Sequence, residues 1–411
     1  MGLSVGTNGK SILVMAFVLA NLMMLARMAV SLGINYGQIA DNLPQPDKVV
    51  PLVKSLGATK VKLYDADPKV LKAFANTGIE LMVTLGNECL AQMAKDSKLA
   101  LDWVRKNVQY YLPHTNITTI LIGNEVLTYN DTSLTSSLVP TMANIHDALQ
   151  TLQLDHQVFV TTAHNLAILQ TSYPPSSGEF RQDLAPILTQ ILTFHAKTGS
   201  PFLINAYPYF AYKANPKQVS LDFVLFQPNQ GILDPDSNLR YDNMLFAQID
   251  AVYAAMGENF NKKVQIQVSE TGWPSKGDED EAGANPDNAK KYNGNLIKII
   301  SQKRGTPMKP GCDLNIFVFA LFNENMKPGP TSERNYGLFK PDGTPSYSLG
   351  IPTVQAVGNL TAGPATTSTN RAAPPDSPSS TGYLSISSAK ERYPSVGLMF
   401  VFWALLKRML A

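Results

Sequence analysis

A (β/α)8 (TIM) barrel with a small insertion after the sixth strand is the fold class this sequence predicts, on three observations. Between residues 32 and 351, eight short β-rich apolar runs alternate with longer segments whose apolar residues recur every three or four positions. The runs are nearly continuous in apolar character, the mark of strands buried on both faces of a parallel sheet. The first of them, in LGINYGQIADN, carries no GxGxxG turn, and no P-loop occurs, which disfavours an open nucleotide-binding sheet. Eight strand–helix units in about 320 residues favour closure into a barrel.

The predicted strands, in chain order, are 32–37 (LGINYG), 60–65 (KVKLYD), 80–86 (ELMVTLG), 118–125 (TTILIGNE), 157–163 (QVFVTTA), 202–209 (FLINAYPY), 264–270 (VQIQVSE) and 315–324 (NIFVFALFNE). Helical patterns such as PDKVVPLVKSLG, SKLALDWVRKNVQYYL and NMLFAQIDAVYAAM lie between them. The long insertion at 211–242, with SLDFVLFQ followed by DPDSNLRYD, reads as a small hairpin subdomain on the rim where a substrate enters. Cys89 falls just past strand three and Cys312 just before strand eight. That puts them on opposite faces of a barrel, a strand length of roughly 20 Å apart and beyond disulfide reach. Two buried free thiols are expected.

The two ends differ from this body. Lys10, the apolar run at 11–26 and the small residues Ala29 and Ser31 read as a secretory signal peptide over residues 1–31. A retained membrane anchor is the alternative, for which about 16 apolar residues are short. From 352 to 395 the chain is rich in Ser, Thr, Pro, Ala and Gly without an apolar period, as expected of a linker. Residues 396–411 begin with VGLMFVFWALL, interrupted by Lys407 and Arg408. A small-residue zone, a polar spacer and an apolar tail match a lipid (GPI) anchor signal, with attachment between Ser377 and Ala389. Asn116, Asn130 and Asn359 head glycosylation sequons that fit a secreted chain.

Composition narrows the chemistry. The 411 residues carry 34 Lys+Arg against 32 Asp+Glu, a net charge of +2, with 16% charged and 44% hydrophobic residues. That is too apolar for a disordered protein and too balanced for a dedicated nucleic-acid binder. Two cysteines exclude a disulfide-framed or Cys-rich zinc module, and the five scattered histidines form no ligand pair, so neither a metal nor a cofactor is expected.

In such barrels the C-terminal strand ends form the active face. Strand four ends in Gly123-Asn124-Glu125 and strand seven in Ser269-Glu270-Thr271-Gly272-Trp273-Pro274. Strand eight ends in Phe322-Asn323-Glu324-Asn325, followed by Lys327 and Glu333. Glutamates emerging from an apolar core need partners, and two carboxylates in one cleft can hydrolyse a glycosidic bond. Loop-tying hydrogen bonds would explain each glutamate taken singly. Tyr36, Tyr207, Tyr209, Phe210, Trp273, Phe322 and Tyr336 fall at strand ends or just after them, where flat apolar faces suit pyranose rings; Phe322 has the alternative of pointing into the barrel wall. Alternation puts Asn205, Tyr207 and Tyr209 on one side of strand six, and Tyr207 is the phenol expected to donate to ionised Glu270.

LGINYG, LIGNEV, NAYPYF, VSETGWPS and LFNENMKPGPTSERNYGLF together closely resemble the plant endo-β-1,3-glucanases of glycoside hydrolase family 17, over residues 32 to 351. The resemblance implies retaining endo-hydrolysis of β-1,3-glucan (callose-type) in the cell wall, with Glu125 as general acid/base and Glu270 as nucleophile. It also implies that Asn124 binds the sugar 2-hydroxyl and that Tyr36, Tyr207, Phe210, Trp273, Glu324, Lys327 and Glu333 line the cleft. The residues read Glu324, Lys327 and Glu333 as a charge cluster that sets the cleft's potential, or alternatively as a rim salt-bridge network. The Cys-rich C-terminal carbohydrate-binding module of many members has no counterpart here, since the tail carries no cysteine. The expected setting is a monomer on the outer face of the plasma membrane, with a part in defence, pollen development or channel control. A glucan-binding protein without turnover, and a hydrolase or transglucosylase of mixed-linkage glucans, are the competing readings.

Overall fold

The computed structural model describes residues 32–129 and 131–350. Eight parallel strands close into one barrel: β1 (Leu32–Tyr36), β2 (Lys60–Leu63), β3 (Glu80–Leu85), β4 (Ile117–Asn124), β5 (Phe159–Asn165), β6 (Phe202–Asn205), β7 (Ile266–Thr271) and β8 (Ile316–Val318). Each pairs with its neighbours in sequence, and closure joins β1 to β8 with Ile34 opposite Val318. All eight lie on the runs read from sequence. The signal peptide, linker, tail, Asn130 and Asn359 lie outside the described residues, whereas Asn116 is exposed immediately before β4.

Period-two alternation sorts the strand residues into two cores. Met82, Leu121, Ala163, Leu203 and Phe317 point inward and pack together on the barrel axis. A methyl group at Gly33 would sit 2.5 Å from the Phe317 ring, so only glycine fits β1 at that layer. Leu32, Ile34, Tyr36, Val61 and Leu63 belong instead to the larger core between the strands and the surrounding helices. The helices supply its other half through buried stripes, for example Leu138, Met142, Ile145 and Leu149 on Thr132–Thr151. Caps fix their starts: Asp131 accepts from the Leu134 amide, and Asn243 from the Phe246 amide of Met244–Asn261.

Above the axial layer the inward positions turn polar: Asn35, Lys62, Asn205 and Ser269 are all buried there. That change from apolar plug to polar floor places the site at the C-terminal ends of the strands.

The insertion departs from expectation. SLDFVLFQ forms a short helix, Leu221–Val224, and the hairpin comes later, as Ile232–Leu233 against Arg240–Tyr241. A second hairpin, Leu169–Thr171 with Glu179–Phe180, follows β5 and was not legible in the sequence. Asp234 ties the two together by accepting from Ser176 N and Ser176 Oγ, both at 2.8 Å. Both cysteines are free, and each is half-buried, which corrects the expectation of buried thiols. Cys89 sits beside Glu88, and burial together with that carboxylate pushes its thiol up to about 11.

Candidate active site

Glu270 is the penultimate residue of β7, next to a register irregularity between Val268 and Glu270 where the strand pairs with β6. Such a bulge breaks strict alternation and re-aims side chains. Ser269 bonds Asn205 inside the barrel, Glu270 beside it also faces the cleft, and Thr271 reaches outward to Tyr292. The Glu270 carboxylate is buried and fully committed. Its Oε1 accepts from Lys62 Nζ at 2.6 Å and from Tyr64 OH at 2.8 Å, and its Oε2 from Tyr207 OH at 2.9 Å. Burial alone would raise its pKa, but the Lys62 charge and hydrogen bond, the Tyr64 hydroxyl and the Lys327 charge outweigh it and hold the group below the usual carboxylate value. Burial and the Glu270 charge push both tyrosines well up, so they are donors and never anions here.

Glu125 is built differently. It follows β4 in a left-handed backbone conformation (φ 56°, ψ 28°), rare for a residue with a side chain. Its Oε1 accepts from Asn205 Nδ2 at 2.7 Å and its Oε2 from Asn165 Nδ2 at 3.1 Å, two neutral donors in place of a cation. Burial and the neighbouring Glu270 charge raise its pKa, while the two amides and Lys62 offset only part of that. The two carboxylates are thus driven apart in acidity, Glu270 downward and Glu125 upward, the direction an acid–nucleophile pair requires.

Asn124 sits between them. Its Oδ1 accepts from Lys62 Nζ at 3.3 Å and from Asn205 Nδ2 at 3.5 Å, which leaves its Nδ2 donor for a ligand hydroxyl. Ser269 Oγ pins Asn205 at 2.6 Å, and Asn35 orients Tyr64 by donating to its hydroxyl at 3.1 Å.

The aromatic rim needs correction. Trp273 is 0% exposed; its indole N–H donates to Gly283 O, and its ring packs among Tyr209, Tyr212 and Tyr292. It is a wall residue and offers no face to a sugar. Tyr36 is 1% exposed because its parity in β1 points it into the outer core against Phe322. Tyr209, Phe322 and Tyr336 are buried too. Tyr207 remains half-buried at the cleft, and Phe210, 41% exposed and 5.3 Å from the Tyr207 ring, is the open apolar face.

Glu324, Lys327 and Glu333 are all buried, and they split. Glu324 Oε1 accepts from Ile39 N at 2.7 Å and so fixes the loop after β1. Lys327 pairs with Glu333 at 3.8 Å and lies 4.1 Å from the centre of the Phe319 ring. Of the three, Lys327 bears on Glu270, whose pKa its positive charge helps to lower.

The sequence reading missed Lys62, Tyr64 and Asn165, and it gave Asn205 no role. The signal was present: Lys62 lies mid-strand between the apolar Val61 and Leu63, and Tyr64 lies two residues on, hence on the same face. Among the described residues no group of His, Cys, Asp and Glu is arranged to hold a metal ion, and no helix is long and apolar enough to cross a membrane.

The sequence model described as glycosyl hydrolases family 17 matches residues 32–351. Glucan endo-1,3-beta-glucosidase 11 of Arabidopsis thaliana is 64% identical over 332 residues, which cover 80% of this chain and 78% of that one. Glucan endo-1,3-beta-glucosidase 10 of the same plant is 67% identical over 327 residues, covering 79% and 76%. Among solved structures, CJP38, a beta-1,3-glucanase and allergen of Cryptomeria japonica pollen, superposes with a TM-score of 0.75 at 38% identity, over 78% of this chain and 99% of that one.

Proposed function

The chain belongs to the glycosyl hydrolases of family 17, and on that premise we propose that it cleaves internal (1→3)-β-D-glucosidic linkages of a callose-type glucan with retention of configuration. The observation that carries this reading is the contrast between the two carboxylates: Glu270 held ionised by Lys62, Tyr64 and Tyr207, Glu125 raised by burial and by Glu270 itself. The relatives named as glucan endo-1,3-beta-glucosidases support the choice of linkage.

In the first step Glu125 gives its proton to the departing glycosidic oxygen. Glu270 attacks the anomeric carbon from the opposite face and forms a glycosyl ester. In the second step Glu125, now a carboxylate, takes a proton from the water that displaces Glu270. Lys62, Tyr64 and Tyr207 make Glu270 a weaker base, and a weaker base is also the better leaving group from the ester. Asn124 Nδ2 binds the sugar 2-hydroxyl next to the reacting carbon. Retention requires the two carboxyls to lie about 5–5.5 Å apart.

The biological setting follows the chain ends: secretion after removal of residues 1–31, and attachment to the outer leaflet through a lipid near residues 377–389, with the glucan of the wall as partner. Release of the protein from membranes by a phosphoinositide-specific phospholipase supports the anchor, and retention after that treatment removes it. For the activity, incubation with a soluble β-1,3-glucan is expected to drop viscosity faster than free glucose accumulates. Glucose released from the start without loss of viscosity contradicts internal cleavage. Turnover of a mixed-linkage glucan alone contradicts the linkage.

A further inference from the structure

The tripeptide Gly-Asn-Glu occurs twice in the chain, at 86–88 after β3 and at 123–125 after β4. The second copy carries the acid. The first has no part in the steps above, and Glu88 is exposed. Asn87, however, reaches across to the second copy. Asn124 N donates to Asn87 Oδ1 at 2.8 Å, and Asn87 Nδ2 donates back to Asn124 O at 3.2 Å. One carboxamide thereby grips both polar groups of a single residue's backbone.

The place of this clamp matters. The β3–β4 ladder ends with Leu85 opposite Ile122, after which β3 turns away into the short 3-10 turn Asn87–Cys89. On its other side β4 loses register with β5 between Leu121 and Asn124. The backbone then passes through two left-handed residues, Gly123 (φ 63°) and Glu125 (φ 56°), on either side of Asn124. A Cβ on Gly123 would lie 2.6 Å from Asn87 Oδ1, so the amide is seated directly on that corner. Left-handed backbone at a residue with a side chain persists only where the surroundings over-determine it. Here the Asn87 amide replaces the missing ladder, and the carbonyl it holds belongs to the peptide that leads into Glu125.

We infer that Asn87 is a positioning residue for the general acid: by clamping the Asn124 backbone it fixes the plane of the Asn124–Glu125 peptide and thereby the direction of the Glu125 carboxyl. The inference rests on Glu125 being the acid. It makes no use of contact between Asn87 and substrate.

The test is leaving-group dependence. A glucan must have its leaving oxygen protonated, whereas a 2,4-dinitrophenyl β-laminarioligoside departs without help. The quantity compared is kcat/KM, which reports the first step. Asn87→Ala is expected to lower kcat/KM on glucan by roughly 10- to 100-fold, the cost of an ångström-scale misplacement, with KM changed less than about twofold. On the dinitrophenyl substrate the loss is expected to be a small fraction of that, with the same contrast in a Glu125→Ala control. Asn87→Asp, of the same shape, keeps the acceptor for Asn124 N–H but turns an oxygen toward Asn124 O; it should show the same contrast even if the alanine variant folds poorly. Equal losses on both substrates, or no loss on glucan, overturn the inference. A Glu125→Ala control without the contrast overturns the assignment of the acid itself, and this inference with it.

Discussion

Glu270→Ala is expected to lower turnover of β-1,3-glucan by more than the roughly 10²–10⁴-fold that a single acid–base group is worth, because the covalent ester of the proposed mechanism forms on the Glu270 carboxylate. The three donors that hold the carboxylate, Lys62, Tyr64 and Tyr207, bind no second acid among the described residues, so no neighbour takes over the attack. The substitution also strands the buried Lys62 charge, so the variant should melt lower than the parent and must be assayed well below its transition. The space left by the carboxylate is lined by donors and suits a small anion. With the dinitrophenyl donor, added azide is expected to restore turnover and give a glycosyl azide of inverted configuration. Parental turnover of glucan in the variant, or azide rescue with retention, contradicts the nucleophile assignment.

Lys62→Met is the second large effect, on stability and on pH. The ammonium is fully buried and lies 2.6 Å from Glu270 Oε1. Removing one partner of a buried ion pair costs about 3–5 kcal/mol, because the remaining charge loses its compensation. The pH dependence has a definite sign. In the parent the folded pKa of Glu270 is depressed, so its stabilisation is present above the unfolded carboxylate value of about 4.3 and is lost as pH falls through the lower folded value. Without Lys62, burial loses its largest opponent and the folded pKa is expected to rise. The variant is then penalised most at neutral pH and least in acid, where Glu270 is protonated in both states. The acid limb of its activity profile should move up accordingly, since only ionised Glu270 attacks. A denaturant series at neutral and acidic pH measures the first effect, and a kcat/KM profile the second. Equal destabilisation at both pH values, with an unmoved acid limb, contradicts the role given to Lys62.

The strands, and the placement of the two glutamates at strand ends, were readable from sequence because the physics behind them is local. A doubly buried strand must be apolar, and a glutamate that ends such a strand has one polar place to go. Tyr207 was legible for the same reason, as a phenol placed by alternation within reach of Glu270. Strict alternation is also what hid the rest. A bulge before Glu270 shifts β7, so side-chain direction there cannot be counted along the chain. Tyr36 and Trp273 look like rim aromatics in sequence, yet one faces the outer core by parity and the other is walled in by Tyr209, Tyr212 and Tyr292, which come from two different helices. Lys62 was overlooked because a lysine is ordinarily solvated, as Lys60 at the start of the same strand partly is, and its burial depends on a carboxylate 208 positions away. The hairpin after β5 is only a few residues per strand and is held by Asp234 from another loop, a tertiary contact with no local pattern.

Proton NMR of the anomeric signals during early hydrolysis of a soluble β-1,3-glucan distinguishes the proposed double displacement by Glu125 and Glu270 from a single displacement. The expected result is that newly formed reducing ends appear first as the β-anomer and only later equilibrate. An α-anomer appearing first would mean a single displacement by water and would contradict the covalent role of Glu270.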